Sequence, residues 1–515
     1  MKSSERSVSV WEATREQQEF PRLEGDASVD VCVVGAGIAG ISVAYLLAKA
    51  GRSVIVLDDN AVGGGETGQT TAHLTSAMDD YYHVLEKVHG KDGARIARES
   101  HQGAIDAIER FAREEGIDCD FERVDGYWIP DPKKARGWLE KERDAAHRAG
   151  ATDVEVVESV PGISGYSGPG LRFPRMGQFH VLKYLDGLVR CIQRDGGRIH
   201  TGNHVDKVEG GERPRVSGEG FSVSAGAVVV ATNTPVSDFV AIHTKQAPYR
   251  TFVVAGRIPA GSVPHVLLWD TLDPYHYIRT QRIDGDPGHE WLIVGGEDHK
   301  TGHHDDADER YARLEAWTKE HFPMVEAFDL RWSGQVLEPV DYLGFIGRDP
   351  AGLENVYVAT GDSGQGMTHG TIAGLLISDL VLGRPNEWES LYDPKRKTLS
   401  VESVKMWLEE NVDVGFQYKD LLPTGGDVKS ADEIPSGSGA ILQKGLTKVA
   451  AYRDEHGVLH QRVANCTHLG CIVQWNSEEM SWDCPCHGSR FSPTGDQVLN
   501  GPAISPLRPY EEKAG

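Results

Sequence analysis

The sequence predicts three structural parts: an α/β domain on a parallel sheet, an antiparallel-sheet domain inserted into it, and a small all-β domain at the C-terminal end. Three observations predict this. A β-α-β pattern with a glycine-rich turn spans Val29–Asp58, and a second strand, glycine loop and helix pattern follows far downstream, from Val356. Between them lie segments in which aromatic and β-branched residues alternate with polar ones, the period of a half-buried strand. Finally, CTHLGCIVQWNSEEMSWDCPCHGSRF, Cys466–Phe491, holds four of the seven cysteines in one short stretch.

In the first pattern, Val29–Val34 is a continuous β-branched run, as a strand buried on both faces requires. Gly35-Ala36-Gly37-Ile38-Ala39-Gly40 follows, then a helix over Ile41–Ala50 and a strand over Ser53–Leu57 that ends at Asp58 and Asp59. This is G-x-G-x-x-G in its Rossmann-like setting, with the acid Asp58 at the end of the strand that follows the helix. Gly35 allows the tight turn, Gly37 lets backbone approach a pyrophosphate at the helix N-terminus, Gly40 allows close helix–strand packing, and Asp58 accepts from ribose hydroxyls. In the second pattern, Val356–Ala359 reads as a strand, Gly361, Gly364 and Gly366 as a loop, and Thr368–Leu382 as a helix. A late strand–loop–helix returning to the same sheet suits FAD rather than NAD. The second helix N-terminus would then stabilise negative charge on a reduced flavin.

These two segments, together with VGGGETGQTTAHLTS and the VVVATNTP run at Val228–Pro235, resemble the D-amino-acid-oxidase/glycine-oxidase superfamily, whose FAD domain is of the glutathione-reductase type. SVWEATREQQEFPRLEGDASVDVCVVGAG resembles its gamma-glutamylputrescine oxidoreductase-like branch, and the resemblance runs over roughly residues 9–395. It implies a cofactor set of Gly35, Gly37, Ile38, Ala39, Gly40, Asp58 and Asp59. To these it adds Glu66, Thr67, Gln69, Thr70 and Thr71 around the pyrophosphate and flavin edge, Val205 at the adenine, and Ala231 and Thr232 on the adenine–ribose side. Gly361, Gly364, Gly366, Met367 and Thr368 would lie beside the flavin pyrimidine ring. Some relatives attach FAD to a histidine near His73. The spacing here is one residue off, so His73 is expected to be a non-covalent wall residue.

In the middle of the chain, Tyr82–Glu115 reads as an amphipathic helix broken near Gly90, followed by strand-like pieces at 126–130, 248–258, 274–281 and 290–298. The resemblance makes this a substrate domain roofing the flavin. Its candidate catalytic residues are Tyr275, His276, Tyr277 and Arg279, with Glu338 and Asp341 further on: an arginine can clamp a carboxylate, and a histidine or tyrosine can orient or deprotonate an amine.

At the tail, Cys466 and His468 are followed by Cys484, Cys486 and His487 in the pattern C-x-H…C-P-C-H. Two cysteines and two histidines suit tetrahedral zinc or a Rieske [2Fe–2S] cluster. Each half offers one cysteine and one histidine, whereas zinc fingers pair like with like. The boxes CTHLGC and CPCHGS resemble the Rieske family. That resemblance implies Cys466 and Cys484 on one iron, His468 and His487 on the other, and a disulfide between Cys471 and Cys486. It also implies a hydrogen bond from Ser489 to a cluster sulfur. Phe491 stands where high-potential relatives carry tyrosine, so the potential is expected below the top of the ~−150 to +300 mV Rieske span.

The expected domains are 1–395 (FAD parts 28–80, 180–240 and 335–390; substrate parts 81–179 and 241–334), a connector at 396–428, and a Rieske domain at 429–515. In the connector, Val401, Val404, Leu408 and Val412 recur at helical spacing. Fifty-three basic against 77 acidic residues, a net charge of −24, argue against nucleic acid or anionic lipid as the main partner. The acidity serves solubility or the docking of a basic redox partner. No apolar run approaches the roughly 20 residues of a membrane span, and the N-terminus lacks a signal h-region, so a cytoplasmic location is expected. Cys32, Cys119 and Cys191 are expected as buried structural thiols.

Together these features predict an amine or amino-acid dehydrogenase or oxidase that passes electrons from FAD through the cluster to an external acceptor: protein, quinone or dioxygen. The alternatives are an NAD(P)H-fed reductase and a non-catalytic redox sensor. A Rieske oxygenase is not expected, because its iron site lies in a large domain after the cluster, and the stretch from His487 to Gly515 is too short to be one.

Overall fold

The computed structural model describes residues 7–131, 133, 136–236, 242–397, 403, 405, 406, 417 and 425–511. The expected helix through Val401, Val404, Leu408 and Val412 lies outside the described residues.

The strand Gly25–Val34 lies at the centre of an eight-stranded sheet. It pairs in parallel with Phe221–Val230 on one side and Val54–Leu57 on the other; Val356–Thr360 and Arg198–His200 extend the parallel run outward. Its side chains alternate between two apolar clusters. Val31 and Val33 pack into the one beneath the helices, while Cys32 and Val34 pack into the one around Phe221, Val223 and Val230. Burial on both faces explains the unbroken β-branched run. Cys32, Cys119 and Cys191 are all buried, and burial pushes the Cys32 thiol up to about 12.

The helix expected from Ile41 begins at Ile38, because the last residues of the glycine motif form its first turn and Gly37 is its cap. It packs lengthwise on Gly366–Val381, the helix of the second glycine motif. Cβ atoms at Gly370 and Gly374 would meet Ile38 and Ser42 at 2.6 Å, so both positions need glycine for the helices to approach so closely. This contact brings to one place two helix N-termini, at Ile38 and Gly366, that lie far apart in sequence.

The second sheet has nine strands, in the order Leu330–Pro339, Gln246–Pro259, His289–Lys300, His276–Arg282, Val266–Asp270, Glu122–Ile129, Gly170–Gln178 and His73–Leu74, with Glu155–Val157 beside Gly170–Gln178. The expected antiparallel pattern holds except at one seam, where Val266–Asp270 runs parallel to Glu122–Ile129. These strands come from distant segments and meet without a hairpin, so no tight turn dictates their direction. The helix Tyr82–Glu114 breaks at Gly90, whose φ is 73°.

The tail forms a three-stranded sheet (Ser438–Lys444, Thr447–Arg453, Leu459–Val463) and a four-stranded one (Gln474–Asn476, Ser481–Asp483, Arg490–Phe491, Val498–Asn500), all antiparallel. Among the described residues, no helix is long and apolar enough to cross a membrane.

Gly40 is the tightest joint in the nucleotide-binding half, since a Cβ there would overlap the Gly35 carbonyl. Gly40→Ala is expected to destabilise the protein by about 3 kcal/mol or to prevent folding, as overpacking against backbone does. Chemical denaturation and the yield of folded protein check this.

Candidate functional site

A cavity of about 320 Å³ opens where the two helix N-termini meet, and residues from both halves of the chain and from the tail line it. At its nucleotide end it is lined by Gly35, Gly37, Ile38, Ala39, Asp58, Asp59, Val205, Ala231 and Thr232. Glu66, Thr67, Gln69, Thr70, Thr71, His73, Gly361, Gly364, Gly366 and Met367 continue the wall. Two of the residues expected there do not reach it. Gly40 lies beneath the turn, and the Thr368 hydroxyl donates back to Gln365 O at 3.1 Å and meets His101 Nδ1 at 2.8 Å.

The local geometry suits a dinucleotide. Gly35 has φ +104° and its missing Cβ would overlap Ala231 O, so only glycine fits the turn. A Cβ at Gly37 would meet only Thr67 Oγ1, at 3.0 Å, and nothing lies within 4 Å of one at Gly65, which leaves backbone open to the cavity. Thr67 Oγ1 accepts from Ile38 N at 3.1 Å. Asp58 accepts from Ala36 N at 2.6 Å and Asn60 N at 2.7 Å. Burial, then the neighbouring Asp59 charge, raises its carboxyl to about 7.

The other end is walled by the nine-stranded sheet. Tyr275 and Tyr277 line it with Trp128, Trp269, Thr251 and His73, and Thr251 Oγ1 meets Tyr277 Oη at 2.6 Å. Both ring nitrogens of His73 are engaged, by Thr71 Oγ1 at 2.9 Å and Ile278 O at 3.3 Å. Burial and the Arg279 charge lower its pKa to about 3, so it is neutral.

The other two candidate catalytic residues are displaced from the cavity. His276 falls on the opposite face of its strand: its ring stacks on Trp317 at 4.0 Å and its Nδ1 meets Asp270 Oδ2 at 2.7 Å. Arg279 shares the tyrosine face but is buried beyond the cavity wall. Its Nη1 donates to Thr71 O, Ala72 O and Phe179 O at 3.2, 2.8 and 3.1 Å, and its Nη2 donates to Gln281 Oε1. It ties three chain segments together and does not line the cavity. Glu338 accepts from Ser363 Oγ at 3.0 Å, and Asp341 forms a two-point ion pair with Arg396; neither lines the cavity.

Asp79, which no motif marks, does line this end. Burial, then Asp80 and Asp298, raises its carboxyl to about 8. Burial likewise raises Asp80 and Asp362 to about 7 and Asp298 to about 6.

In the tail, two loops face each other and the disulfide Cys471–Cys486 joins them. The sulfurs of Cys471, Cys484 and Cys486 lie within 4.8 Å of one another, but two of these are bonded, which leaves Cys484 to act with Cys466. Cys466 and Cys484 are hydrogen-bonded side chain to side chain, and backbone N–H groups of His468 and Leu469 donate to Cys466. Those of Cys486 and His487 donate to Cys484. The His468 and His487 rings lie 5.0 Å apart, and His487 Nδ1 is buried with no hydrogen-bond partner. Two thiols with amide donors aimed at them, facing two imidazoles of which one has an orphaned nitrogen, suit a cluster held half by sulfur and half by nitrogen. Ser489 bonds to Cys466 and its Oγ accepts from Ala503 N at 3.0 Å.

Val498, Leu499, Asn500, Gly501 and Ala503 of the tail also line the cavity. Asn500 Nδ2 donates to Glu66 Oε1 at 3.1 Å, and Gln335, another lining residue, donates to Gly488 O at 3.3 Å. The His243 ring meets His468 at 5.2 Å. Sequence reasoning missed all of these, since they belong to no motif and arise from domain docking alone.

The chain belongs to the FAD dependent oxidoreductase family, whose model matches residues 30–380, and it carries a Rieske [2Fe-2S] domain matched over residues 426–511. It therefore binds FAD and a [2Fe–2S] cluster. Among relatives, it is 32% identical to YhfW of Bacillus subtilis (strain 168), named as a Rieske 2Fe-2S iron-sulfur protein, over 98% of both chains. It is 27% identical to gamma-glutamylputrescine oxidoreductase of Escherichia coli (strain K12), over 72% of this chain and 88% of that one. Among solved structures, glycine oxidase from Geobacillus kaustophilus superimposes with a TM-score of 0.60 at 17% identity, over 72% of this chain and 99% of that one.

Two outcomes are expected at these sites. His487→Ala should lose iron and the visible cluster absorbance while keeping FAD; metal analysis and flavin quantitation on one sample check this. Asp79 has a folded-state pKa near 8 against an ordinary carboxyl value of 3.8. The folded state therefore binds its proton more tightly than the unfolded chain, and this contribution to stability falls as pH rises from about 4 to about 8. Asp79→Asn should flatten the decline in apparent Tm between pH 5 and pH 8, as read by thermal scans of the FAD-loaded protein.

Proposed function

We propose that this FAD-dependent oxidoreductase oxidises the C–N bond of an amine or amino acid and that the electrons leave through the Rieske cluster to an external acceptor: a protein, a quinone or dioxygen. The observation that carries the reading is the shared wall between the two sites. Ala503 lines the cavity and its N–H bonds to Ser489, which bonds to Cys466; Gln335 lines the cavity and holds the carbonyl of Gly488, next to His487. Both routes from cavity wall to cluster ligand are one or two contacts long. The names of two similar proteins, gamma-glutamylputrescine oxidoreductase and glycine oxidase, describe action on amino compounds and support the substrate class.

When bound, FAD supplies a two-electron acceptor and the cluster a one-electron carrier. In the overall reaction the substrate amine loses two electrons and two protons to become an imine, water hydrolyses the imine to a carbonyl compound, and the external acceptor takes the electrons. The residues of this chain exclude water and orient the amine. The nine-stranded sheet and the Val498–Ala503 segment supply two of the cavity's walls. Half-buried Tyr275 and buried Tyr277 remain protonated hydroxyls, because desolvation and nearby carboxylates raise both well above the usual phenol value. Neutral His73 adds a wall without charge.

Anaerobic mixing with a panel of amines and amino acids tests this, with flavin absorbance and the reduced-cluster EPR signal followed together. Flavin bleaching followed by the cluster signal is expected. Bleaching without a cluster signal would break the relay, and rapid bleaching by NADPH instead of amines would favour a nicotinamide-fed reductase.

A further inference from the structure

If the cavity is an amine-oxidising site, its walls restrict which amines it accepts. No arginine or lysine lines it among the described residues. Arg279, a cation close to the tyrosine end, gives its donors to backbone carbonyls and Gln281. An α-amino acid would thus place a carboxylate in a cavity with no lysine or arginine partner and with the Asp79 carboxyl in the wall. An unpaired buried charge of that kind costs several kcal/mol.

The same walls suit a cation. Asp79 has no hydrogen bond or ion pair among the described residues and faces the cavity. Asp298, outside the lining, is hydrogen-bonded to Thr251 and Tyr275 and adds a second carboxyl near this end. The rings of Tyr275 and Tyr277 lie 5.6 Å apart, and with Trp269 and Trp128 they line the same end of the cavity as Asp79, where aromatic faces favour a cation. This neighbourhood attracts an ammonium group and rejects an anion.

We propose that the substrate is a cationic amine with no carboxylate on the carbon being oxidised, and that Asp79 receives its ammonium group between Tyr275 and Tyr277. This rests on the amine-oxidising reading and narrows it. Raised by burial and by Asp80 and Asp298, Asp79 gains its charge most readily when a cation sits beside it.

The test compares matched pairs that differ by one carboxylate: butylamine against norvaline, and benzylamine against phenylglycine. Each is added to the anaerobic FAD-loaded chain, and both the shift in flavin absorbance on binding and the rate of bleaching are read. The amine of each pair is expected to bind about 100-fold more tightly than its carboxylated partner, equivalent to about 2.7 kcal/mol. Asp79→Asn, first shown to retain FAD, should weaken amine binding about tenfold and leave amino-acid binding unchanged or improved. Tyr277→Phe, which keeps the ring, should preserve the preference. Amino acids binding as tightly as the amines would overturn this inference and leave the amine-oxidising reading standing. No binding or bleaching by either member of any pair would overturn both.

Discussion

One buried arginine, Arg250, reaches across from the sheet to two carboxylates of the iron–sulfur domain, and a second, Arg490, holds those carboxylates from within that domain. Arg250, on a central strand of the nine-stranded sheet, lies 3.5 Å from Glu479 and 4.0 Å from Asp483 of the tail. Arg490 of the tail meets the same two carboxylates at 3.7 and 3.2 Å. Ser333 and Ser7 both donate to Glu479, which ties the N-terminal segment into the joint. Charges buried this deeply are tolerated only when paired, and removing one partner strands the others. The network therefore discriminates strongly against any other docking of the two domains, whatever its net contribution to stability. Together with the Asn500–Glu66, Gln335–Gly488 and Ser477–Asp305 contacts, it holds the tail against the rest of the chain, where the tail makes one wall of the cavity.

With that docking set, the rest of the site follows from close backbone approach. Gly370 and Gly374 let two helices lie nearly in contact, and Gly35 and Gly40 let the nucleotide turn fold under itself. Two positive helix ends thus converge on one cavity. Its far end has the opposite character, with aromatic rings and the Asp79 carboxyl in the wall. Polarity thus divides the cavity into a half with helix N-termini, suited to a pyrophosphate, and a half walled by aromatic rings and a carboxyl. The cluster loops sit beside the first half and share its wall through Gln335 and Ala503.

Much of this could be read along the chain, because the motifs concerned are local. G-x-G-x-x-G between two strands, a glycine loop before a late helix, and cysteine–histidine pairs in two boxes each place their chemistry within a few residues of one another. Where reading failed, strand geometry and competition for partners were responsible. Alternation sent His276 to the far face, onto Trp317 and Asp270. Arg279 has the right parity, but three carbonyls from Thr71, Ala72 and Phe179 claimed it first. The parallel seam between Val266–Asp270 and Glu122–Ile129 has no hairpin to announce it.

Residue spacing was enough to specify the two cofactors and the kinds of domain that hold them, since turns, helix ends and metal ligands are contiguous or nearly so. The polarity of the cavity's far end and the placement of Asp79 and Asn500 in its wall were decided by folding. They depend on which distant segments meet, and burial and long-range pairing of charge determine that.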